Sequence, residues 1–433
     1  MGSGGGIQVQ PSMDPTTSHD SPASLGIYIS VPFCRSKCTY CNFASGVYSA
    51  ERYELYVEQV CSEIRAIRQR AAQWRAEIPE RVDSVYFGGG TPSLLPPALL
   101  AELARALGQE FDLLKTAEIT LECAPGQLPD SALQAAAEAG VNRLSFGVQS
   151  FVDREAAVIG RLHNRGIALE DLRRARAAGF ERVNVDLIAG LPHQTEASWQ
   201  ESLDTLAAAN PGHASVYMLE VDEDSRLGRE LLGGGGRYHA ASVPGEELTA
   251  ALYEAGIARL EKDGLRQYEI SNFARPGCES QHNLKYWRRQ PYLGFGLDAH
   301  SFLQRADGGG LRLATVSSLE EYLAPGGSGP DRTDLMPAEE LEEEWFLGLR
   351  LREGIDWNQL EEHFRARLGE EAEKSVLPAL RPILDELEEL ELVSRTEGRI
   401  RLTMRGMMLS NEVFARFLGI ASREPLAIEM VSS

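Results

Sequence analysis

From Gly26 onward, short runs rich in β-branched and aromatic residues alternate with longer stretches whose apolar residues recur every third or fourth position. The first kind of run reads as a buried strand and the second as a helix with one apolar face. Strands are expected at Gly26 to Val31, Val82 to Phe87, Glu118 to Leu121, Arg143 to Gly147, Arg182 to Ile188 and Ser215 to Leu219, and helices at Tyr53 to Gln73, Ala98 to Leu107 and Ser131 to Ala139. Such alternation predicts βα units around a parallel sheet. Six units fall short of the eight that close a full barrel, so the expected α/β fold is a partial, open (β/α)6 barrel.

The pattern changes after Pro337. The acidic string AEELEEE opens one helix, and Leu377, Leu380, Leu384 and Leu387 form the apolar stripe of another. Val393 to Leu402 reads as a hairpin turning at Glu397-Gly398, followed by helical SNEVFARFL. The expected organisation is a disordered, Gly- and Ser-rich tail over 1–25, a barrel unit with its extension over 26–323, a linker over 324–336 and a separate helical domain over 337–433. Ala324 to Pro330 reads as a flexible connection and Gly233 to Gly236 as a flexible surface loop.

Sites in α/β barrels lie at the C-terminal ends of the strands, and the polar and glycine motifs fall there. A cysteine-rich loop follows the first strand and Gly88-Gly89-Gly90-Thr91-Pro92-Ser93 the second; Glu122 ends the third, Gln149 follows the fourth, and Asp186 with Gly190-Leu191-Pro192 closes the fifth. Glycines let a backbone approach a ligand closely. Carboxylates accept from hydroxyls or an ammonium, Gln149 both donates and accepts, and Arg161 presents a planar fork to a carboxylate. A cap, a turn or a surface charge is the lesser alternative for each taken alone.

Composition narrows the function classes. With 43 Lys and Arg against 64 Asp and Glu, the net charge of −21 disfavours a nucleic-acid surface. No run of about eighteen apolar residues exists to span a bilayer, and no secretory signal is recognisable, so a cytoplasmic protein is expected, with at most peripheral contact to membranes.

Three of the six cysteines, Cys34, Cys38 and Cys41, fall within eight residues, while Cys61, Cys123 and Cys278 stand apart. Thiolates crowded in this way point to zinc, copper(I) or an iron-sulfur cluster. A closed zinc site draws a second ligand pair from elsewhere, and no such segment is visible. A three-thiolate site with an open position is the better reading, with a zinc-stabilised binding protein as the alternative.

The cysteine spacing resembles the signature of the radical S-adenosylmethionine (SAM) superfamily. The strings GIYISVPFC, FGGGTPS, RLSFGVQSF, IGRLHN, VDLIAGLPHQT, YEISNFA and His282-Asn283-Leu284-Lys285-Tyr286-Trp287 are together similar to the HemW family of haem chaperones, over nearly everything from Gly26 to Leu418. The resemblance implies a radical SAM partial barrel with a winged-helix-like C-terminal domain. It implies a 4Fe-4S cluster on Cys34, Cys38 and Cys41, whose unique iron binds SAM and whose electron can cleave it. It further implies SAM contacts from Tyr28, Phe43, Gly89, Gly90, Thr91, Glu122, Gln149, Arg161 and Asp186, the two aromatics also covering the cluster. The implied function is haem binding and transfer to acceptors such as respiratory haem enzymes, with an electron donor for the cluster.

His282 is the candidate haem ligand, or else a bracing residue of the barrel; His163 and His193 are alternatives. Oxygen-independent coproporphyrinogen III oxidases, the related enzymes, carry a further cysteine where this chain has Phe43 and a longer N-terminal region, so oxidase activity is the second reading. Ser30 stands where the HemW string usually has histidine. An acidic chain with a winged-helix outline is expected to use that domain for partner docking or as a lid rather than on DNA.

Overall fold

A computed structural model of the chain describes residues 24–326, 329–370 and 372–420. The expected tail falls outside these residues except for Ser24 and Leu25, and Leu25 is already fully buried in the first strand. The strands are β1 (Leu25–Val31), β2 (Ala76–Glu77), β3 (Arg81–Gly89), β4 (Asp112–Cys123), β5 (Arg143–Gln149), β6 (Arg182–Ala189), β7 (His213–Met218), β8 (Arg266–Gln267), β9 (Asn272–Ala274), β10 (Tyr292–Phe295), β11 (His300–Arg305), β12 (Gly310–Ala314), β13 (Asp331–Asp334), β14 (Ile355–Asp356), β15 (Val393–Thr396) and β16 (Arg399–Leu402).

Thirteen of them make one sheet in the order β13-β12-β11-β10-β1-β3-β4-β5-β6-β7-β9-β8, with β2 added on β11. All six expected strands are present, and pair in parallel from β1 to β7. The structure adds what the pattern did not predict: β10 joins the free flank of β1 in parallel, pairing Gly26 with Tyr292 and Ile29 with Phe295. An antiparallel meander, β11 to β13, then extends that edge. Part of the expected linker is therefore sheet, because Asp331–Asp334 pairs with β12. All four residues of this edge strand are exposed, so they carry no apolar alternation to detect.

β1 illustrates how the sequence builds the barrel. Leu25, Ile27, Ile29 and Val31 are fully buried, Gly26 and Ser30 are buried and Tyr28 is half-buried, as expected of a parallel strand covered on both faces. The helix Ala50–Trp74 covers it with Val57, Val60, Cys61, Ile64 and Ile67, spaced by three and four, and stops where Arg75 turns left-handed at φ 56°. The first strand and this helix share one core with the inner faces of β3 to β7.

A second core gathers Leu341, Trp345, Phe364, Leu380, Leu384, Leu387, Ile400 and Phe417 beneath the small sheet β14-β16-β15. The expected hairpin turns at Glu397 (φ 55°) and Gly398 (φ 74°). This unit is docked on the barrel: Ile270 packs in its core, Ile270 N donates to Arg350 O (3.1 Å) and Arg352 N to Tyr268 O (3.0 Å).

Candidate functional site

The C-terminal ends of β1 and β3 to β7 open into a cleft of about 1490 Å³. The loop after β1 is pinned at its base, where Cys34 N donates to Gly46 O and Gly46 N to Pro32 O, both at 2.9 Å. Phe33 anchors it from below, stacked on Tyr53 with ring centroids 3.8 Å apart. The glycine loop after β3 is laced to it by Gly90 N to Val31 O and Thr91 N to Phe33 O, each 2.8 Å. A Cβ on Gly90 would stand 2.8 Å from Phe33 O and 3.0 Å from Cys34 Sγ, so only glycine lets these two loops close on each other. Thr91 Oγ1 lies 3.9 Å from Cys34 Sγ, and Ser45 Oγ 3.9 Å from Cys41 Sγ.

Cys34, Cys38 and Cys41 all line the cleft and are partly exposed. Burial pushes the Cys34 thiol up, against the hydroxyls of Ser45 and Thr91 and with the neighbouring Cys41 and Cys38 adding to it. A metal must displace that proton on binding. Cys61 is buried in the core, and Cys123, also buried, ends β4 beside the same cleft with its thiol donating to Leu121 O at 3.6 Å. Among the described residues, no three Cys, His, Asp or Glu side chains converge closely enough to hold a single ion. The three thiols face an open cleft with room before them for a cluster and a further ligand.

Glu122, Gln149, Arg161 and Asp186 line the same cleft with Gly89, Gly90 and Thr91. Glu122 accepts from Tyr86 Oη (2.9 Å) and Gly89 N (3.1 Å), the latter with Gly89 at φ 108°. Burial pushes the Glu122 carboxyl up to about 7, against these hydrogen bonds and with the Asp186 charge adding to it. Asp186, also raised by burial, accepts from Asn184 Nδ2 at 2.6 Å. A bulge in β5 between Gly147 and Gln149 puts Gln149 at φ 70° and turns its amide into the cleft. Gly147 leaves room there for both the Arg161 fork and the Gln149 amide, each 3.1 Å from where a Cβ would be. Gln149 Oε1 and Arg161 Nε are buried without a partner. Unpaired donors and acceptors at this depth fit a polar ligand such as the amino-acid end of SAM.

Two residues sit elsewhere. Tyr28 points into a second, smaller cavity on the other side of the cysteine loop, and Phe43 stands on the rim between the two, 62% exposed. His282 reaches neither. It is buried, its Nδ1 lies 3.0 Å from Ser84 Oγ and its Nε2 2.8 Å from Tyr286 Oη, and burial, with Lys285 and Arg143 nearby, lowers it to about 3. Both ring nitrogens are thus engaged within the protein, as a bracing residue's would be. His163 is buried and lines neither cavity, and His193 Nε2 faces His239 Nδ1 at 3.2 Å.

Sequence reasoning missed Tyr40, whose hydroxyl accepts from Arg161 Nη2 at 3.1 Å, although an aromatic set between two cluster-type cysteines was a visible signal. It also missed Arg350 and the segment 407–412, which the C-terminal unit contributes to the cleft wall and which nothing local marks.

Thiols, glycine edge and carboxylates gathered at the strand ends of an open parallel barrel define a radical SAM protein. The Radical SAM superfamily model matches residues 28–206 and the HemN C-terminal domain model residues 335–409. More particularly, the chain belongs to the HemW family. It is 35% identical to the heme chaperone HemW of Bacillus subtilis over 90% of this chain and 98% of that one. It is also 36% identical to the mitochondrial radical S-adenosyl methionine domain-containing protein 1 of Bos taurus, over 80% of this chain and 79% of the other. Coproporphyrinogen III oxidase (HemN) from Escherichia coli shares the fold, with a TM-score of 0.74 at 23% identity over 91% of this chain and 90% of that one. Radical SAM membership brings with it a 4Fe-4S cluster and SAM. Among the described residues no helix is long and apolar enough to cross a membrane.

Proposed function

We propose that this protein binds haem and hands it to acceptor proteins, while a 4Fe-4S cluster with SAM occupies the large cleft. The observation that carries this reading is the near full-length relationship to proteins named heme chaperones. In this reading Cys34, Cys38 and Cys41 are the three cluster thiolates. Gly89, Gly90 and Thr91 present backbone groups to the amino-acid end of SAM, Arg161 and Gln149 supply the unpaired donor and acceptor described above, and Glu122 and Asp186 take the ligand's hydroxyls or ammonium.

When bound, the cluster supplies an electron to the SAM sulfonium, delivered by an external donor. The chain's own part is to exclude water with Phe33 and Tyr40, and to hold the loop geometry through the glycine contacts. Phe43, where the oxidases have a cysteine, supports carriage over decarboxylation. A cytoplasmic location with respiratory haem enzymes as acceptors, some reached at the membrane surface, completes the proposal.

The test is an anaerobic haem titration of the cluster-loaded protein, beside an assay for decarboxylated product from coproporphyrinogen III with SAM and a reductant. Stoichiometric haem uptake without product is expected. Turnover to product would replace the carrier reading with the oxidase one.

A further inference from the structure

Asp186 reaches the cleft from within β6, and Asn184, two positions earlier on the same face of that strand, is buried next to it. The register of β6 and β7 sets Asn184 beside His213, which is buried as well and lines neither cavity.

The Asn184 amide is occupied on every side. Its Nδ2 donates to Asp186 Oδ1 at 2.6 Å and to Ser145 Oγ at 2.8 Å. Its Oδ1 accepts from Ser215 Oγ at 3.3 Å and lies 2.7 Å from His213 Nδ1. Beyond the imidazole, His213 Nε2 lies 2.9 Å from Tyr268 Oη, which accepts from Ser280 N at 3.3 Å. Tyr268 is itself tied down through its backbone, its N donating to Asn272 O (3.1 Å) and its carbonyl accepting from Arg352 N (3.0 Å).

The sense of each bond follows from the end at Asp186. An ionised carboxylate only accepts, so the amide turns its NH2 group to Asp186 and its carbonyl oxygen to His213. Nδ1 must then carry the imidazole proton. Burial, with the Arg143 charge nearby, holds His213 well below the ordinary imidazole range, so the ring is neutral and has one proton to give. Nε2 is left as an acceptor, and Tyr268 Oη, already accepting from Ser280 N, donates to it. Turning the amide over would set its carbonyl against the Asp186 carboxylate and its NH2 against the His213 N–H.

We propose that His213 is a positioning residue for the ligand of the large cleft: braced by Tyr268, it fixes the Asn184 amide, and through that amide the Asp186 carboxylate. The inference rests on the reading above that Asp186 contacts SAM. It gives the buried floor of the barrel a task in ligand binding, since the direction in which Asp186 is held is decided by groups that the ligand never touches.

The test is SAM binding to the full-length, cluster-loaded chain by calorimetry, comparing wild type, His213→Leu, His213→Asn, Asp186→Ala and the double variant of His213→Leu with Asp186→Ala. His213→Leu is expected to weaken binding by about tenfold, with iron and sulfide content unchanged. His213→Asn, whose amide N–H can stand where Nδ1 stood, is expected to bind within about twofold of wild type. In the Asp186→Ala chain, His213→Leu is expected to add no further loss, because the relay then has no carboxylate to hold. Should His213→Leu not fold, Tyr268→Phe takes its place: without the hydroxyl the imidazole proton is free to move to Nε2, and binding is expected to weaken by about threefold. Wild-type affinity in that variant, or a loss that recurs in full on the Asp186→Ala background, would overturn the relay and leave SAM binding standing. A wild-type chain that binds no SAM would overturn both.

Discussion

Replacing Gly90 by Ala tests how the site is built. Its Cβ would enter 2.8 Å from Phe33 O, where ordinary contact begins at 3.4 Å, so the cysteine loop must retreat by about 0.6 Å (3.4 minus 2.8). The backbone that must move carries the hydrogen bonds Gly90 N to Val31 O and Thr91 N to Phe33 O. Overpacking of this kind costs about 1–3 kcal/mol. Cys34 Sγ, 3.0 Å from the new methyl, is displaced with the loop, so the larger effect falls on the metal site. The assay is iron and acid-labile sulfide per chain after anaerobic reconstitution, beside a urea unfolding curve. Gly108→Ala is the control: nothing lies within 4 Å of its Cβ, and alanine in a helix gains about 0.5–1 kcal/mol. A Gly90→Ala protein with full cluster content and an unshifted urea midpoint would refute the reasoning.

Three further outcomes follow from the same geometry. Glu122, pushed up to about 7 from an ordinary value of 4.5, favours folding fully when protonated and loses that contribution as pH rises through 7; Glu122→Gln should therefore gain stability relative to wild type between pH 5 and 8, read from paired unfolding curves. Arg161→Lys keeps the charge but loses the planar fork, and should weaken SAM binding by about 1.5–3 kcal/mol in calorimetry, with the cluster retained. His282→Phe leaves Ser84 and Tyr286 without their shared partner, at about 1–3 kcal/mol per unsatisfied group, yet should keep haem uptake, as titration of the folded variant would show.

What the sequence revealed and what it hid divide along physical lines. The strands β1 and β3 to β7 carry short runs rich in β-branched and aromatic residues, so both their existence and the motifs at their ends were legible. β10 is only four residues long and β13 wholly exposed, so neither offered a period to count. Cys34, Cys38, Cys41, Glu122, Gln149 and Arg161 meet in one cleft because each follows a strand of the same sheet or lies at its C-terminal end, and Asp186 joins them from within β6. Tyr28 does not, because side chains alternate along β1 and no motif says which face the cleft takes. The string around His282 is distinctive, which suits a ligand and a buried brace alike, and its partner Ser84 on β3 is not legible from that string.

The pairing of β10 with β1 has a consequence for synthesis. The strand that leads into the cysteine loop acquires its second neighbour only when Tyr292 to Phe295 have emerged, and Lys285, whose Nζ meets Asp83 at 2.8 Å and Ser24 O at 2.9 Å, ties the same corner. At roughly 5–20 residues per second, the ribosome leaves that strand with one open edge for roughly ten to fifty seconds. During that interval the three thiols emerge on a loop whose scaffold is half made. Iron delivered to the nascent chain meets cysteines without a fixed geometry, so productive metallation waits for release of almost the entire barrel.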